Sequence, residues 1–182
     1  MKMFDAMMAF EKGKTINGFV NDPQDSGGET VMGVCRKHYP NLLVWASLDK
    51  LKTVKEKKMY YLTVDEYNEI VSLYYKNYYK HNNLQHVGDD ALAMQIFDWA
   101  VNSGSVRAVK EIQKILHIVV DGVCGLQTVT VINNSKPKAL REAYRSARIA
   151  YYEALSRKGN NSKFRNGWLR RAQECDNLFI EK

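Results

Sequence analysis

Cysteine is scarce in this chain, and its few copies are not placed for metal binding or for a disulfide framework. Cys35, Cys124 and Cys175 are odd in number, widely separated and without a CxxC pair. This spacing predicts reduced thiols, with no zinc site and no disulfides. The sequence also lacks a P-loop, a GxGxxG run and a histidine pair at metal-ligand spacing. Neither nucleotide nor metal chemistry is therefore indicated, and no cofactor is expected.

Long hydrophobic runs are absent as well. No stretch approaches the roughly 18 apolar residues that a membrane-spanning helix requires. The opening MKMFDAMMAF is short, contains Asp5 and is followed by no small-residue cleavage site, so it does not predict a signal peptide. With 45% hydrophobic and 26% charged residues, the 182-residue chain has the composition of a globular protein with one core or two small domains. We expect synthesis in a reducing cytoplasm.

The net charge of +7 is unevenly distributed. Residues 136–182 contain twelve Lys and Arg against five Asp and Glu, an excess equal to that of the whole chain. Such a basic segment suits an anionic partner, but charge alone does not choose among partners. No nucleic-acid recognition motif accompanies it, and a solvated helix face explains the charge, so no nucleic acid is expected as a partner.

The segment from Glu11 to Gly33 contains the residues best suited to chemistry. A helix over the first twelve residues would carry four residues at i, i+3, i+4 and i+7 on one side: Phe4, Met7, Met8 and Glu11. Burial and the negative end of the helix dipole would both raise the pKa of Glu11, as a general acid requires, whereas Lys12 and Lys14 would act against that shift. The alternative is a solvated glutamate in the last turn.

Turn-forming residues are dense immediately afterwards. The runs Asn21-Asp22-Pro23 and Asp25-Ser26-Gly27-Gly28 predict a loop that folds back. We expect this loop to bring Asp22, Asp25 and Thr30 near Glu11. An ordinary surface loop is the alternative.

The run GFVNDPQDSGGETVMGV, with a glutamate upstream, resembles the signature of the glycoside hydrolase family 108 N-acetylmuramidases, also called secretion activators. That signature reads E-G-G-Y-V-N-D-P-x-D-x-G-G-x-T-x-x-G-[IV]. The resemblance implies a helical, lysozyme-like fold in which the opening glutamate is the catalytic acid. This chain departs from it by five extra residues before Gly18, so that an ungapped alignment puts Ile16 at the acid position. Because Ile16 cannot donate a proton, either Glu11 acts through a longer loop or catalysis is lost; we favour Glu11.

Other residues of the motif are candidates for further roles. Whether Asp22 or another group acts as base or nucleophile stays open, because it depends on the separation of the carboxyl groups, and Thr30 is a candidate for positioning water or a sugar hydroxyl. Gly27 and Gly28 are expected to let the backbone approach the sugar.

Two later helices supply candidate substrate contacts. Thr63 and Glu66 form a capping-box signal that opens a helix to about residue 80. Its aromatic face is of a kind that usually lies in the core, but one of Tyr74, Tyr75 and Tyr78 could stack on a sugar, and Tyr78 is our candidate.

The second helix, ALAMQIFDWAVNSG, begins after Gly88-Asp89-Asp90 and ends near Gly104. Its FDWAVNSG run resembles the F-D-x-A-V-N-x-G of the same family. Asn102 is our candidate for a substrate-side amide, and Asp98 is expected to be structural.

The rest of the chain resembles a small helical peptidoglycan-binding module, through AVKEIQKIL and DGVCGLQT. The expected architecture is all-α: a lysozyme-like catalytic region over residues 1–104, packed with a peptidoglycan-binding helical region over residues 105–182. The expected activity is cleavage of the β-1,4 bond between N-acetylmuramic acid and N-acetylglucosamine in peptidoglycan. The alternatives are a lytic transglycosylase and an inactive wall-binding or secretion-accessory protein. The expected partners are peptidoglycan glycan strands, with a holin or a secretion pathway for export to the periplasm or the cell exterior.

Overall fold

The computed structural model describes residues 2–21 and 28–175. The chain divides into two compact units, Met1–Tyr74 and Tyr75–Lys182. The described residues form nine α-helices and one small sheet of three strands, so the fold is helical, as the sequence predicts. No helix within the described part is both long enough and apolar enough to cross a bilayer. The three cysteines lie in the described part without forming a disulfide, and Cys124 and Cys175 are buried.

The first unit contains four helices and the sheet. The helices are α1 (Lys2–Lys12), α2 (Leu43–Leu48), α3 (Val54–Met59) and α4 (Val64–Tyr74). The strands are β1 (Val20–Asn21), β2 (Glu29–Val31) and β3 (Val34–Cys35), paired antiparallel in that order. The strands β1 and β2 therefore border the run that the sequence assigns to a loop, and β3 follows them; the sequence did not predict these strands.

Helix α4 begins at the capping box that the sequence predicts. The backbone N–H of Thr63 donates to Glu66 Oε2 (2.8 Å), and the backbone N–H of Glu66 donates to Thr63 Oγ1 (3.3 Å). The α-helix ends at Tyr74, and a π-helical turn, Tyr75–Lys80, follows in place of the predicted continuation to residue 80.

The second unit is organised around one buried helix. After the π-helical turn and a 3-10 turn (Leu84–His86) come α5 (Asp90–Ser103), α6 (Ser105–Ile115), α7 (Leu126–Asn133), α8 (Pro137–Ser156), a second 3-10 turn (Asn161–Phe164) and α9 (Arg165–Glu174). Residues 91–100 of α5 are all buried, and α5 packs against α6 and α8. This packing groups α5 with the later helices, whereas the predicted division falls after Gly104. That division stays a prediction about sequence regions.

An ionic cluster joins three helices of the second unit. Asp98 of α5 is completely buried and forms ion pairs with Arg148 of α8 and Arg171 of α9. Burial alone would raise the pKa of Asp98, but the charges and hydrogen bonds of the two guanidinium groups outweigh it and lower the pKa below its ordinary value. Asp98 thus has the structural environment expected from the sequence.

Candidate functional site

Glu11 lies in the last turn of α1 at the edge of a buried face. Met7 and Met8 on that helix are fully buried, and Glu11 is half-buried. The spacing that places Glu11 beside the apolar stripe in the sequence therefore produces a side chain that is partly sheltered and partly open to solvent.

The carboxylate of Glu11 rests against the turn between β2 and β3. This two-residue turn consists of Met32 (φ 45°) and Gly33 (φ 75°), both left-handed, as the tightest hairpin connection requires. A Cβ atom at residue 33 would overlap the Glu11 carboxylate and would lie 2.5 Å from the hydroxyl oxygen of Tyr74. Glycine is thus needed both for its conformation and for the space that two polar side chains occupy.

Tyr74 fixes this turn from the end of α4. Its hydroxyl donates to the backbone carbonyl of Met32 at 2.7 Å, and its side chain is buried. Because its ring is not accessible, Tyr74 is not available to stack on a sugar, which leaves Tyr75 and Tyr78 of the three candidate tyrosines. Sequence reasoning missed its place beside Glu11; only its position on the buried face of α4, four residues after Ile70, hints at an inward direction.

The five extra residues after Glu11 form a closed loop. Thr15 Oγ1 donates to the carbonyl of Lys12 (2.7 Å) and accepts from the N–H of Gly18 (2.7 Å). A Cβ at Gly18 would lie 3.0 Å from Lys12 Cα and 3.1 Å from the Glu11 carbonyl oxygen. The chain therefore returns to the end of α1 directly after the extra residues, so that Gly18 is adjacent to Glu11 despite the longer connection.

Asn17 anchors that loop to the rest of the unit. It is fully buried, and its amide nitrogen donates to the carbonyls of Lys57 (2.8 Å) and Tyr60 (3.0 Å). The backbone carbonyl of Asn17 accepts from the N–H of Met32 (3.0 Å), so the loop and the β2–β3 turn are bonded to each other. Buried, satisfied hydrogen bonds of this kind hold a backbone in one conformation.

Two other sheltered carboxylates in the first unit are engaged elsewhere. Glu29 pairs with Lys57 (2.6 Å) and Arg36 (2.7 Å), and these partners outweigh the burial that would raise its pKa, so that the pKa is lowered. For Glu66, burial again acts upward, but hydrogen bonds from Ser47, Thr63 and Tyr60 hold the pKa below its ordinary value. Both groups are held as carboxylates, which does not suit proton donation.

A pocket of about 300 Å³ adjoins the turn that Glu11 contacts. Its lining comes from the end of α1, the inserted loop, the β2–β3 turn and the start of α4: Lys12, Ile16, Met32, Tyr61, Leu62, Thr63, Val64 and Tyr67. The volume is at the lower end of the range for small-molecule sites. Ile16, which an ungapped alignment puts at the acid position, contributes only apolar surface to this pocket.

The remaining motif residues are only partly described. Asp22, Asp25 and Gly27 lie outside the described residues. Thr30 is half-buried in β2 opposite Val20, two residues before the turn that Glu11 contacts, and its hydroxyl lies 3.5 Å from the carbonyl of Gly28. Gly28 has a left-handed φ of 70°, and nothing lies within 4 Å of the position of its absent Cβ.

Tyr78 and Asn102 belong to the second unit. Tyr78 is half-buried in the π-helical turn, and its carbonyl accepts from Asn82, which also bonds to Ser105 (2.9 Å). Asn102 is exposed at the end of α5, where its amide donates to the Asp98 carbonyl at 2.7 Å. Short π-helical segments are frequent at functional sites. The roles of both residues stay predictions.

A family model for glycosyl hydrolase 108 matches residues 5–104, more than half of the chain. The chain belongs to the glycosyl hydrolase 108 family. A second family model, described as a predicted peptidoglycan domain, matches residues 107–173. This glycosyl hydrolase 108 member is also similar to the solved structure of Brucella abortus SagA, at 25% identity and a TM-score of 0.66, with 96% of this chain and 91% of that chain covered. A comparison with curated proteins gave no match.

Family membership identifies the protein as a glycoside hydrolase, and the second match identifies peptidoglycan as its substrate or partner. The glycosyl hydrolase 108 match includes Glu11, the inserted loop and the turn that receives the carboxylate. Among the described residues, no group of three His, Cys, Asp or Glu side chains could hold a metal ion.

Proposed function

We propose that the protein is an N-acetylmuramidase that cleaves the β-1,4 bond between N-acetylmuramic acid and N-acetylglucosamine, with Glu11 as the general acid. The observation that carries this proposal is the contact of the Glu11 carboxylate with Gly33 beside the Tyr74 hydroxyl. The closed insertion supports it, because Gly18 lies against the end of α1 next to Glu11. Glu29 and Glu66 are weaker candidates, since their partners stabilise the charged form.

The second catalytic group decides the stereochemical course of the reaction. In most glycosidases, carboxyl groups about 5 Å apart give retention through a covalent intermediate, whereas a gap of about 6.5–9.5 Å leaves room for water and gives inversion. We propose Asp22 as this second group, with Thr30 positioning a water molecule or a sugar hydroxyl. Gly27 and Gly28 would allow close approach of the sugar to the backbone.

Asn102 and Tyr78 are proposed as substrate contacts. Replacement of Asn102 by alanine should lower turnover and leave the melting temperature nearly unchanged, because the exposed amide contributes only one hydrogen bond within its own helix. Peptidoglycan turnover and thermal unfolding, measured on the same preparation, check this. A large fall in melting temperature would instead assign Asn102 a structural role.

The Glu11→Gln substitution tests the general acid. Glutamine keeps the size and shape of the side chain but cannot supply the proton, so the protein should fold and bind purified sacculi normally. Hydrolysis of a peptidoglycan suspension should fall by about 10²–10⁴-fold, the usual contribution of a positioned general acid. Glu142→Gln, the same change at an exposed position on α8, is the matched control and should retain parent activity.

Mass spectrometry of the digested peptidoglycan distinguishes the alternatives. Reducing muramic ends identify a hydrolase, anhydro ends identify a lytic transglycosylase, and no released fragment identifies an inactive wall-binding or secretion-accessory protein. If Glu11→Gln cleared the suspension at the parent rate, Glu11 would not be the acid, and Asp22 and Asp25 would be tested next. Export to the wall through a holin or a secretion pathway is part of the same proposal.

A further inference from the structure

Four aliphatic side chains are strongly exposed within a short part of the second unit. They are Val106 (59% exposed), Val119 (79%), Val123 (64%) and Leu126 (65%), here called the aliphatic patch. A single exposed aliphatic residue needs no explanation, but a group of them marks an interaction surface.

Contacts between α6 and the following loop bring the patch together. A Cβ at Gly122 would lie 3.0 Å from Val106 Cγ1 and 3.1 Å from Lys110 Cε, so the loop backbone lies directly on these two side chains of α6. The N–H of Gly125 donates to the carbonyl of Val123 at 3.0 Å, and this turn leads straight into Leu126 at the start of α7. Val106 therefore lies beside the loop that carries the exposed valines.

One buried glutamine holds this loop in place. The amide nitrogen of Gln113 donates to Asp121 Oδ1 (2.7 Å) and to the Val123 carbonyl (3.1 Å), and its oxygen accepts from the N–H of Gly122 (2.8 Å). Asp121 Oδ1 also accepts from the N–H of Val123 at 2.8 Å. The exposed valines are thus carried on a fixed backbone, and a preformed surface loses little entropy when a ligand binds.

Cationic side chains border the patch on α6. A cavity of about 420 Å³ shares Val106 with the patch, and the other lining residues are Ser103, Gly104, Ser105, Arg107, Lys110, Glu111 and Lys114. Glu111 pairs with Lys114 at 3.1 Å, and the guanidinium of Arg107 lies 4.6 Å from the centre of the Tyr151 ring. The cavity has three cations and one anion, so it favours a carboxylate held beside alkyl groups.

We propose that the aliphatic patch and this cavity bind the stem peptide of peptidoglycan, an inference that rests on the proposed peptidoglycan substrate. Stem peptides combine small alkyl side chains with free carboxylates, the two features that this surface complements. A sugar ring would favour an aromatic platform, and the four patch side chains are aliphatic. A phosphate polymer would use the cations but gain nothing from the valines.

Binding measurements with the full-length Glu11→Gln protein test the proposal. Intact sacculi are compared with sacculi whose stem peptides an amidase has removed. Removal of the stems should weaken binding, and so should Val119→Ser/Val123→Ser and Lys110→Ala, each by at least about fivefold on intact sacculi. On stem-free glycan the same variants should bind like the Glu11→Gln parent.

Matched substitutions provide the controls. Val54→Ser on α3 and Lys138→Ala on α8 change exposed residues of the same types and should leave binding unchanged. A soluble stem tetrapeptide should compete with intact sacculi, and inorganic phosphate at equal concentration should not.

Three results would overturn the assignment. The first is that the patch variants and the Glu11→Gln parent bind intact sacculi equally well. The second is that the variants lose as much binding on stem-free glycan as on intact sacculi. The third is that the variants have a lower solution mass than the parent, which would make the patch an interface between copies of the chain. Fragments released during the assay report separately on Glu11, so a failure of the proposed acid is distinguishable from a failure of the stem-peptide site.

Discussion

At the scale of single residues, the space left by Gly33 sets the position of the Glu11 carboxylate. The turn glycine has no side chain, and the carboxylate together with the Tyr74 hydroxyl occupies the region where a Cβ would be. A methyl group there would push the carboxylate away from the turn. A displacement of about 1 Å in a reacting group can cost about 10²-fold in rate, so this contact is relevant to catalysis as well as to packing.

We therefore predict that Gly33→Ala lowers activity by about 10²-fold and destabilises the protein more than Gly13→Ala does. Gly13 is also left-handed (φ 57°), but nothing lies within 4 Å of its absent Cβ, so alanine there has only the backbone cost of about 1–2 kcal/mol. Urea unfolding and peptidoglycan turnover of the two variants give the comparison. Equal losses in both would show that the Glu11 contact contributes nothing beyond conformation.

At the scale of helices and strands, polar capping residues indicate in the sequence where α4 and α5 begin. Asp89 caps α5 by accepting from the N–H of Leu92, as the Gly88-Asp89-Asp90 run indicates. Helix α3 was missed, although Thr53 and Glu56 form the same capping box as Thr63 and Glu66. Its lysine-rich sequence resembles a solvated segment, and none of its residues is buried. The capping box of Thr53 and Glu56 was the sequence feature that indicated helix α3.

The strands were not predictable for a different reason. Two or three residues are too few to show the alternation that identifies a strand. The sequence also does not indicate the ion pairs that Glu29 forms with Arg36 and Lys57, because these residues are not its neighbours along the chain. In the same way, the spacing along α1 predicts the place of Glu11, but the approach of Tyr74, from 63 positions later, depends on tertiary packing.

Asp98 links α5 to α8 and α9, and its ionisation should control acid stability. Its folded-state pKa is lowered, so protonation favours the unfolded chain. The stabilisation is complete above the unfolded-state pKa of about 3.9 and is lost as pH falls through the folded-state value. Asp98→Asn leaves the buried Arg148 and the half-buried Arg171 without their anion, and we expect a loss of about 3–5 kcal/mol near neutral pH.

Urea midpoints between about pH 7 and 2.5 check this prediction, because the parent should lose stability through the acid range more steeply than Asp98→Asn. Glu153→Gln is the control: it removes an exposed pair with Arg165, and its effect should be small. If parent and Asp98→Asn unfolded in parallel across the range, the buried cluster would not determine acid stability.

At the scale of the whole molecule, the basic excess of residues 136–182 is partly neutralised within the second unit. Arg148 and Arg171 pair with Asp98, Arg141 pairs with Asp89, and Arg165 pairs with Glu153. These arginines contribute to helix packing, so the sequence overstates the charge available to an anionic wall. Lys110 on α6 lies outside that segment and lines the cavity described above.

The same packing determines the outcome of truncation after Gly104. The shortened chain would keep α5 but lose α6, α8 and α9. The ten consecutive buried residues of α5, 91–100, would then lose the helices that cover them. Asp98 would also lose both cationic partners. We expect the fragment 1–104 to be insoluble or to lack a near-ultraviolet circular dichroism signal. Co-expression with fragment 105–182 should restore solubility and that signal, because it returns the missing faces of the core. A fragment 1–104 that was folded and monomeric alone would show that the family boundary at residue 104 is also a boundary of stability.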